Sequence, residues 1–585
     1  MVRDVFGKHY FDKAMRITQS PKRLIFTVVG LMTSIILVLG PIGKTKGGNK
    51  MFSSVKNLLG LVNIANPASE VFEQTFSQAM PTKNEADIDI SHSHGNITVK
   101  GWDEEEVKLE GKKIVKARDK ETAQMYAEQM KVEIKSEGGR IIVRTIRPEP
   151  DRSWRIRQNT INYELYAPKR LNVSLKNEHG NVWVESFLGE LDLNSRHGNL
   201  QVAQIGKDAS IQHEHGHVEV SQVGGNASVD KRHGDLKIES VGGELKLNHE
   251  HGHVEISQIG KRATLIKRHG NLKAVDVGGA LQLNHEHGHV QLKQIQGDVE
   301  ITKRHGNMEI ETVNGNFSLS SEHGHLNAVG IEGDVYWRGS RGNGHIESVG
   351  GGLKLNHEHG HVDLAKIGKR ADLTKRHGNL SAVDVGGALQ LDHEHGHVQL
   401  QRIEGDVEIT KRHGNIEIET VNGNFSLSSE HGRLNAIGIE GDVYWRGSRG
   451  DGQIENVSGS ADIERSHGNV KLHNVKGAIS VKNSHGGVEV ISSQPVTHPY
   501  RLHTEHAHLK LAIPESSRVN LFARTEHGSI HSNLPLAITK KRNEAVVEEK
   551  INEGETKIEL STRHGNISID FTKSHNEPND KAANE

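Results

Sequence analysis

The feature that most constrains this 585-residue chain is a strict repeat of 18 residues. Taking each histidine that precedes a glycine as the start of a coil gives His179, His197, His215, His233, His251, His269, His287, His305 and His323. The series resumes at His359, His377, His395, His413 and His431, and closes with His467 and His485. Its two gaps are filled in register by Arg341-Gly342 and Arg449-Gly450, so 18 coils run from about 179 to 502 without an insertion. A longer period overlies the short one. The stretch "ITKRHGNMEIETVNGNFSLSSEHGHLNAVGIEGDVYWRGSRGNG" from 301 recurs nearly unchanged from 409, six coils later, so the array grew by duplication.

Eighteen residues restrict what a coil can hold. In the coil opening at His269 the apolar residues are Leu272, Ala274, Val277, Leu281 and Leu283; the next coil repeats them as Val290, Leu292, Ile295, Val299 and Ile301. Spacing by two is strand periodicity. Gly270 and the pair Gly278-Gly279, half a coil apart, predict two tight turns built on positive φ. Each coil is then two short strands and two turns, with no room for a helix. Stacked coils give an all-β, single-stranded parallel β-solenoid, roughly 85 Å long for the array at a strand spacing near 4.8 Å. A thin aliphatic core shared between coils fits an aromatic content of 4%.

Stacking turns each sequence position into a ladder. The residue before each coil's histidine reads Glu178, Arg196, Glu214, Arg232, Glu250, Arg268, Glu286, Arg304, Glu322, and later Glu358, Arg376, Glu394, Arg412, Glu430. Like charges stacked at strand spacing repel, whereas this alternation sets every arginine between carboxylates. Trp337 and Trp445 take an inward position that is Leu or Ile in most coils, and the next inward position becomes Gly344 and Gly452. Each indole is predicted to fill the space its glycine vacates.

The string H-E-H-G-H satisfies the H-E-x-x-H pattern of zinc proteases, in which two histidines share a helix face. Here it occurs five times, from His213, His249, His285, His357 and His393, on strands. A catalytic site is built once, so no enzyme is expected. The 40 histidines leave three readings open. In the first, an imidazole before glycine suits the turn and stacks on its copies, and duplication multiplied it. In the second, zinc, nickel or copper binds to the groups His213, His215, His217; His249, His251, His253; His285, His287, His289; His357, His359, His361; and His393, His395, His397. In the third, the ladder senses pH: full protonation would take the formal charge from -2 to +38, and stacked imidazoles depress one another's pKa. Such depression makes stability greatest at high pH and lost as pH falls. No other cofactor is expected. The coils "YWRGSRGNG" and "YWRGSRGDG" break the ladder with Tyr336, Arg341, Tyr444 and Arg449, which form a candidate patch for a surface glycan, protein or envelope polymer. The G-G-x-G-x-D turn of calcium-binding rolls is absent from the coils, and 73 basic against 75 acidic residues disfavour nucleic acid.

The ends differ. Residues 1–23 form a basic N-terminal segment, cytoplasmic by the positive-inside rule, and 24–43, "LIFTVVGLMTSIILVLGPIG", an uncharged run long enough for a transmembrane signal anchor. A cleaved signal peptide is the rival reading. Residues 44–84 are expected to be a tether or amphipathic segment, with 51–80 a short amphipathic helix or tether, and 85–178 an irregular solenoid cap. That cap carries a helical insert near 119–131, with Asp119 as its cap and Ala123, Tyr126, Ala127 and Met130 on one face. The array at 179–502 is followed by a C-terminal cap at 503–573 and a polar, disordered tail at 574–585. The body is expected outside a cytoplasmic membrane crossed once by 24–43. Having no cysteine, the chain forms no disulfide, which leaves the compartment open.

Several stretches resemble a family of bacterial envelope proteins with an adhesin-like domain of unknown function. They are "GNITVKGWDEEEVKLEG", the helical insert, "NYELYAPKRLNVSLKNEHGNVWVES", the G-x-V-x-V half-coils and "LAIPESSRVNLFARTEHGSI", which together cover about 85 to 570. The resemblance implies an extracytoplasmic, non-enzymatic β-solenoid, adhesin-like or scaffolding. It does not account for the length of this array or for its histidines, which leave a metal-binding envelope module as the alternative.

Overall fold

The computed structural model describes residues 69–149 and 154–572. The expected segments 1–23 and 24–43, most of 44–84, and the tail 574–585 lie outside them. No helix among the described residues is long and apolar enough to cross a membrane.

Each coil supplies two strands, for example Leu245–His251 and Val254–Ile259. Each strand pairs in parallel with its equivalent 18 residues on: Leu245 stands beside Ala263 and His251 beside His269 in one sheet, Val254 beside Leu272 in the other. Two parallel sheets therefore face each other across a core of one aliphatic layer per strand position, with Leu281, Leu283, Val290, Leu292 and Ile295 all at most 2% exposed. Helical sequence could not do this, because alternate side chains must reach the same face within six or seven residues.

The two turns solve different problems. At Gly270 φ is +108°, and a Cβ there would lie 2.1 Å from the carbonyl oxygen of Gly252 in the coil below, so only glycine fits. The second turn departs from expectation. Its left-handed residue is Asp276, at φ 59°, and Gly278 and Gly279 do not have positive φ. A Cβ on Gly278 would lie 2.6 Å from the carbonyl oxygen of Gly260, so the pair serves close approach between coils. The array also ends earlier than the periodicity implies. Tyr500 stands beside Ile479, so the coil opening at His485 is longer than those before it, and its extra residues lie in the loop 492–499.

Both ends are closed by the same device. At the N-terminal end the strand Asp87–His94 lies between Asn172–His179 and Arg140–Ile146, so the first coil in sequence is second in space. The strands Glu106–Ala117 and Lys131–Glu137 then pair antiparallel with the outermost strands, covering edges that would otherwise invite pairing. At the other end Thr556–Thr562 inserts between Tyr500–Thr504 and Val519–Thr525, and Glu544–Ile551 covers the last strand antiparallel. The helical insert is present as Lys120–Gln129, capped by Asp119 accepting from the Thr122 N–H at 2.8 Å, with Ala123, Tyr126, Ala127 and Met130 buried. The described part of the 51–80 segment is a strand, Glu70–Pro81, where a helix or tether was expected. Phe72 and Phe76 recur at even spacing and pack on the core, and Phe76 fills the space beside Gly111.

The tryptophan coils are packed as predicted. Trp337 and Trp445 are at most 1% exposed, and a Cβ on Gly344 or Gly452 would lie 2.1 Å from the ring. Each indole N–H donates to a serine of the coil below, Ser321 or Ser429, at 3.1 Å. We expect Gly344→Val to destabilise the chain by about 2 kcal/mol through overpacking, and Trp337→Leu by about 3 kcal/mol through the cavity left. The double variant, which restores the pattern of most coils at these two positions, should recover at least half of the summed loss in urea unfolding.

Candidate functional site

The three histidines of each H-E-H-G-H string go to three environments. In the string at 249, His249 is fully buried, His251 lies in a stack along the turn edge, and His253 is on the outside of the turn. The same division holds at 213, 285, 357 and 393, where His213, His285, His357 and His393 are at most 3% exposed.

The inward register holds the least expected feature. It alternates His213, Lys231, His249, Lys267, His285, Lys303, and after two coils with Ser321 and Gly339 it continues His357, Lys375, His393, Lys411. These lysines are at most 2% exposed. The glycine that opens each turn directs its carbonyl inward, where no backbone N–H meets it, and the inward side chain supplies the donor. Lys267 Nζ donates to the carbonyl oxygens of Gly252 at 2.5 Å and His269 at 2.8 Å, and to Nδ1 of His249 at 3.0 Å. In turn His249 Nε2–H donates to Gly234 at 2.9 Å. Lys303 with His285, and Lys411 with His393, repeat the arrangement. An ammonium group has three N–H donors, and here all three are used with no carboxylate among their acceptors. At the ends of the chain of coils, Asn177, Asn483 and Thr504 do the same work for Gly180, Gly468 and Gly486.

Burial pushes His213, His249, His285 and His357 down to about 4 and His393 to about 3, the neighbouring lysine adding to the effect. Burial also lowers Lys231, Lys267, Lys303 and Lys375 to about 8 and Lys411 to about 7.

The turn register forms the stack that a histidine before glycine suggested. From His179 to His323, and again from His359 to His431, ring centroids are 4.7–5.0 Å apart. The stack runs on through His485, His506, His564 and His527, which follows the spatial order of the C-terminal cap. The alternating charge ladder is also present: Arg232 and Arg268 flank Glu250, each at 3.6 Å. These pairs are about half exposed, so each contributes little. Arg341 takes a histidine's place in the stack and donates to Nε2 of His323 at 3.3 Å.

The outer register carries a hydrogen-bond ladder. His253 and His289 accept at Nδ1 from the backbone N–H of Asn271 and Asn307, and the His289 N–H is in turn held by the Asn271 side chain at 3.0 Å. His361 and His397 do likewise, while His217 stands 3.7 Å from Asp235. An imidazole that accepts at Nδ1 carries its proton on Nε2, so these rings present an N–H outward. With Trp183, Lys237, Glu255 and Lys273, His217, His253 and His289 line a shallow groove that crosses the coils from Asn96 to Glu309. Tyr336 and Tyr444, both more than 40% exposed, stand on the opposite sheet, whereas Arg341 and Arg449 lie at the turn edge, so the expected patch is divided between two places.

Sequence reading gave the lysines no role and grouped the inward histidines with the turn and outer ones as candidate metal ligands, whereas the structure buries them apart. The signal was present: His285 lies two residues beyond Leu283, which itself lies two beyond Leu281, so strand parity places it inside.

The family model Toastrack DUF4097 matches residues 85–311 and 267–570. No curated protein matches the chain. Among solved structures, a candidate cell adhesion protein from Clostridium sporogenes ATCC 15579 aligns over 38% of this chain and 100% of its own, at 11% identity and a TM-score of 0.22.

The sign of the pH dependence follows from the directions above. Between about 4 and the unfolded value near 6.5 the unfolded state binds more protons at each inward histidine, so stability rises with pH across that window, by on the order of 3 kcal/mol per imidazole. The lysines add a second rise between about 8 and 10.5. Melting temperature is therefore expected to climb in two steps, below 6.5 and above 8. Replacing the five inward histidines by asparagine, as at Asn177 and Asn483, should flatten the first step only.

Proposed function

This chain belongs to the Toastrack DUF4097 family, and on that basis together with the geometry above we propose a non-catalytic, adhesin-like interaction solenoid of the cell envelope. In this reading residues 24–43 anchor it in the cytoplasmic membrane and the solenoid lies outside. The observation that carries the reading is the groove from Asn96 to Glu309. It offers equivalent side chains at each strand step: a row of Asn, Asp and His at the turn and a row of Glu, Lys and Gln beside it. Repetition at 4.8 Å suits a partner that is itself extended and repetitive, such as a glycan or another envelope polymer. Trp183, 41% exposed at one end of the groove, is an aromatic platform of the kind sugar rings pack on. The inward polar groups support a structural role, since they are held by turn carbonyls and by one another and lie out of reach of a substrate.

Two measurements test this. Protease added to intact spheroplasts should digest the solenoid from outside; protection until the membrane is lysed would place it in the cytoplasm and reject the envelope assignment. The full chain should co-sediment with purified cell-wall glycan, and a Trp183→Ala, Lys237→Ala, Lys273→Ala variant should lose at least ~10-fold in affinity. Equal sedimentation of the variant would reject the groove as the contact surface.

A further inference from the structure

The turn stack contains four clusters in which two imidazoles from consecutive coils meet a carboxylate: His269, Glu286, His287; His305, Glu322, His323; His377, Glu394, His395; and His413, Glu430, His431. In each, one potential ligand atom per residue lies within 4.8 Å of the others. Three observations bear on what they do.

Elsewhere in the strings, inward His213 and His357 each leave Nε2 buried without a partner but belong to no cluster with a carboxylate, and most of the others have their ring nitrogens committed. Inward His249, His285 and His393 accept a lysine N–H at Nδ1 and donate from Nε2 to a glycine carbonyl. Outer His253 and His289 accept a backbone N–H at Nδ1, which leaves Nε2 protonated. A metal needs a nitrogen lone pair, so those registers would have to give up a structural hydrogen bond to bind one. The turn histidines differ. Nδ1 of His323, His395 and His431 is buried without a hydrogen-bond partner, and all three belong to the clusters. Nδ1 of His395 faces Glu394 Oε2 at 4.0 Å.

Within each cluster the two imidazole planes are tilted by 23–27°. Tilt alone does not mark the clusters, since His287–His305 and His395–His413 are tilted by 25° and 28° as well, but it separates them from the other pairs that run from an arginine coil to a glutamate coil. In the equivalent pairs His197–His215 and His233–His251 they are nearly parallel, at 3° and 6°, and no cluster forms. Where Arg341 and Arg449 replace a histidine, the set is incomplete.

We propose that these clusters are His2Glu sites for a divalent first-row transition ion, zinc, nickel or copper, one in each of four two-coil units. The ligand set leaves a coordination position open to water. Ligand atoms up to 4.8 Å apart must close to roughly 3.4 Å around a tetrahedral zinc. That closure takes a rotation of half-exposed rings and leaves the backbone in place. The flanking arginines, such as Arg304 at 3.6 Å from Glu322 and Arg412 at 3.7 Å from Glu430, repel a dication, so these are sites of moderate affinity suited to exchange. Of the histidines expected from sequence to bind metal, His287 and His395 take part; the glutamates and the preceding coil's histidine complete the set.

Isothermal titration of the untagged full chain with zinc chloride tests the proposal, with copper(II) electron paramagnetic resonance as a readout of ligand type. About four equivalents should bind, with two nitrogen ligands per copper. Changing Glu286, Glu322, Glu394 and Glu430 to glutamine should weaken binding at least ~10-fold. His305→Arg with His377→Arg, a residue the stack already accepts at 341 and 449, should halve the stoichiometry. Exchanging the outer His253, His289, His361 and His397 for asparagine should leave both unchanged. Absence of saturable binding, full binding in the glutamine variant, or loss in the outer-histidine variant would overturn the assignment.

Discussion

Everything in this molecule depends on one turn carbonyl. The glycine after each turn histidine is left-handed because any Cβ would collide with the coil below, and that conformation directs its C=O into the core. An inward carbonyl without a partner costs free energy, so in most coils the inward side chain carries a donor. Asparagine and threonine suffice near the ends. Within the array the donor alternates between imidazole and ammonium; Lys267, Lys303, Lys375 and Lys411 each close three bonds at once and Lys231 closes two.

Why alternate at all? Lysines in every coil would stack buried cations about 4.8 Å apart; a neutral histidine between them doubles the distance and halves the repulsion. Histidine also offers Nδ1 as an acceptor, which a second lysine cannot do. The charge ladder of arginine and glutamate, the inward ladder and the outer ladder of histidine with asparagine or aspartate all beat with the same two-coil period. Like groups are kept apart in each. The tryptophan coils then break the inward ladder: the indole of Trp337 packs into the gap at Gly339, the buried guanidinium of Arg465 fills the one at Gly447 and lies over the Trp445 ring, and the runs of buried lysines end after three and two.

Much of this was legible in the sequence, and the reasons differ by feature. The solenoid followed from an 18-residue period with alternate apolar positions, the ladder of Arg232, Glu250 and Arg268 from the repulsion of stacked like charges, and the Trp337–Gly344 exchange from conserved volume. Parity along the strand would have placed His249 and Lys267 inside, but residue type spoke for the surface, since free energy ordinarily keeps lysine in water. Only the inward turn carbonyl explains the exception, and backbone direction is not written in side-chain pattern. For the same reason the positive φ expected of Gly278 falls on Asp276 at the second turn. The end topology, in which the first and last coils in sequence lie second from each end in space, has no signature in the repeat.

The central claim is that neutral imidazoles, in two distinct registers, hold the coils together through Nδ1. Ring nitrogen-15 chemical shifts of the histidines report tautomer and charge directly. The outer histidines, such as His253 and His289, should accept at Nδ1 and carry a proton on Nε2, and the inward His249, His285 and His393 should remain neutral below pH 5 with their proton on Nε2. Protonation of the inward set near 6.5, or protons found on Nδ1 in both registers, would contradict the account.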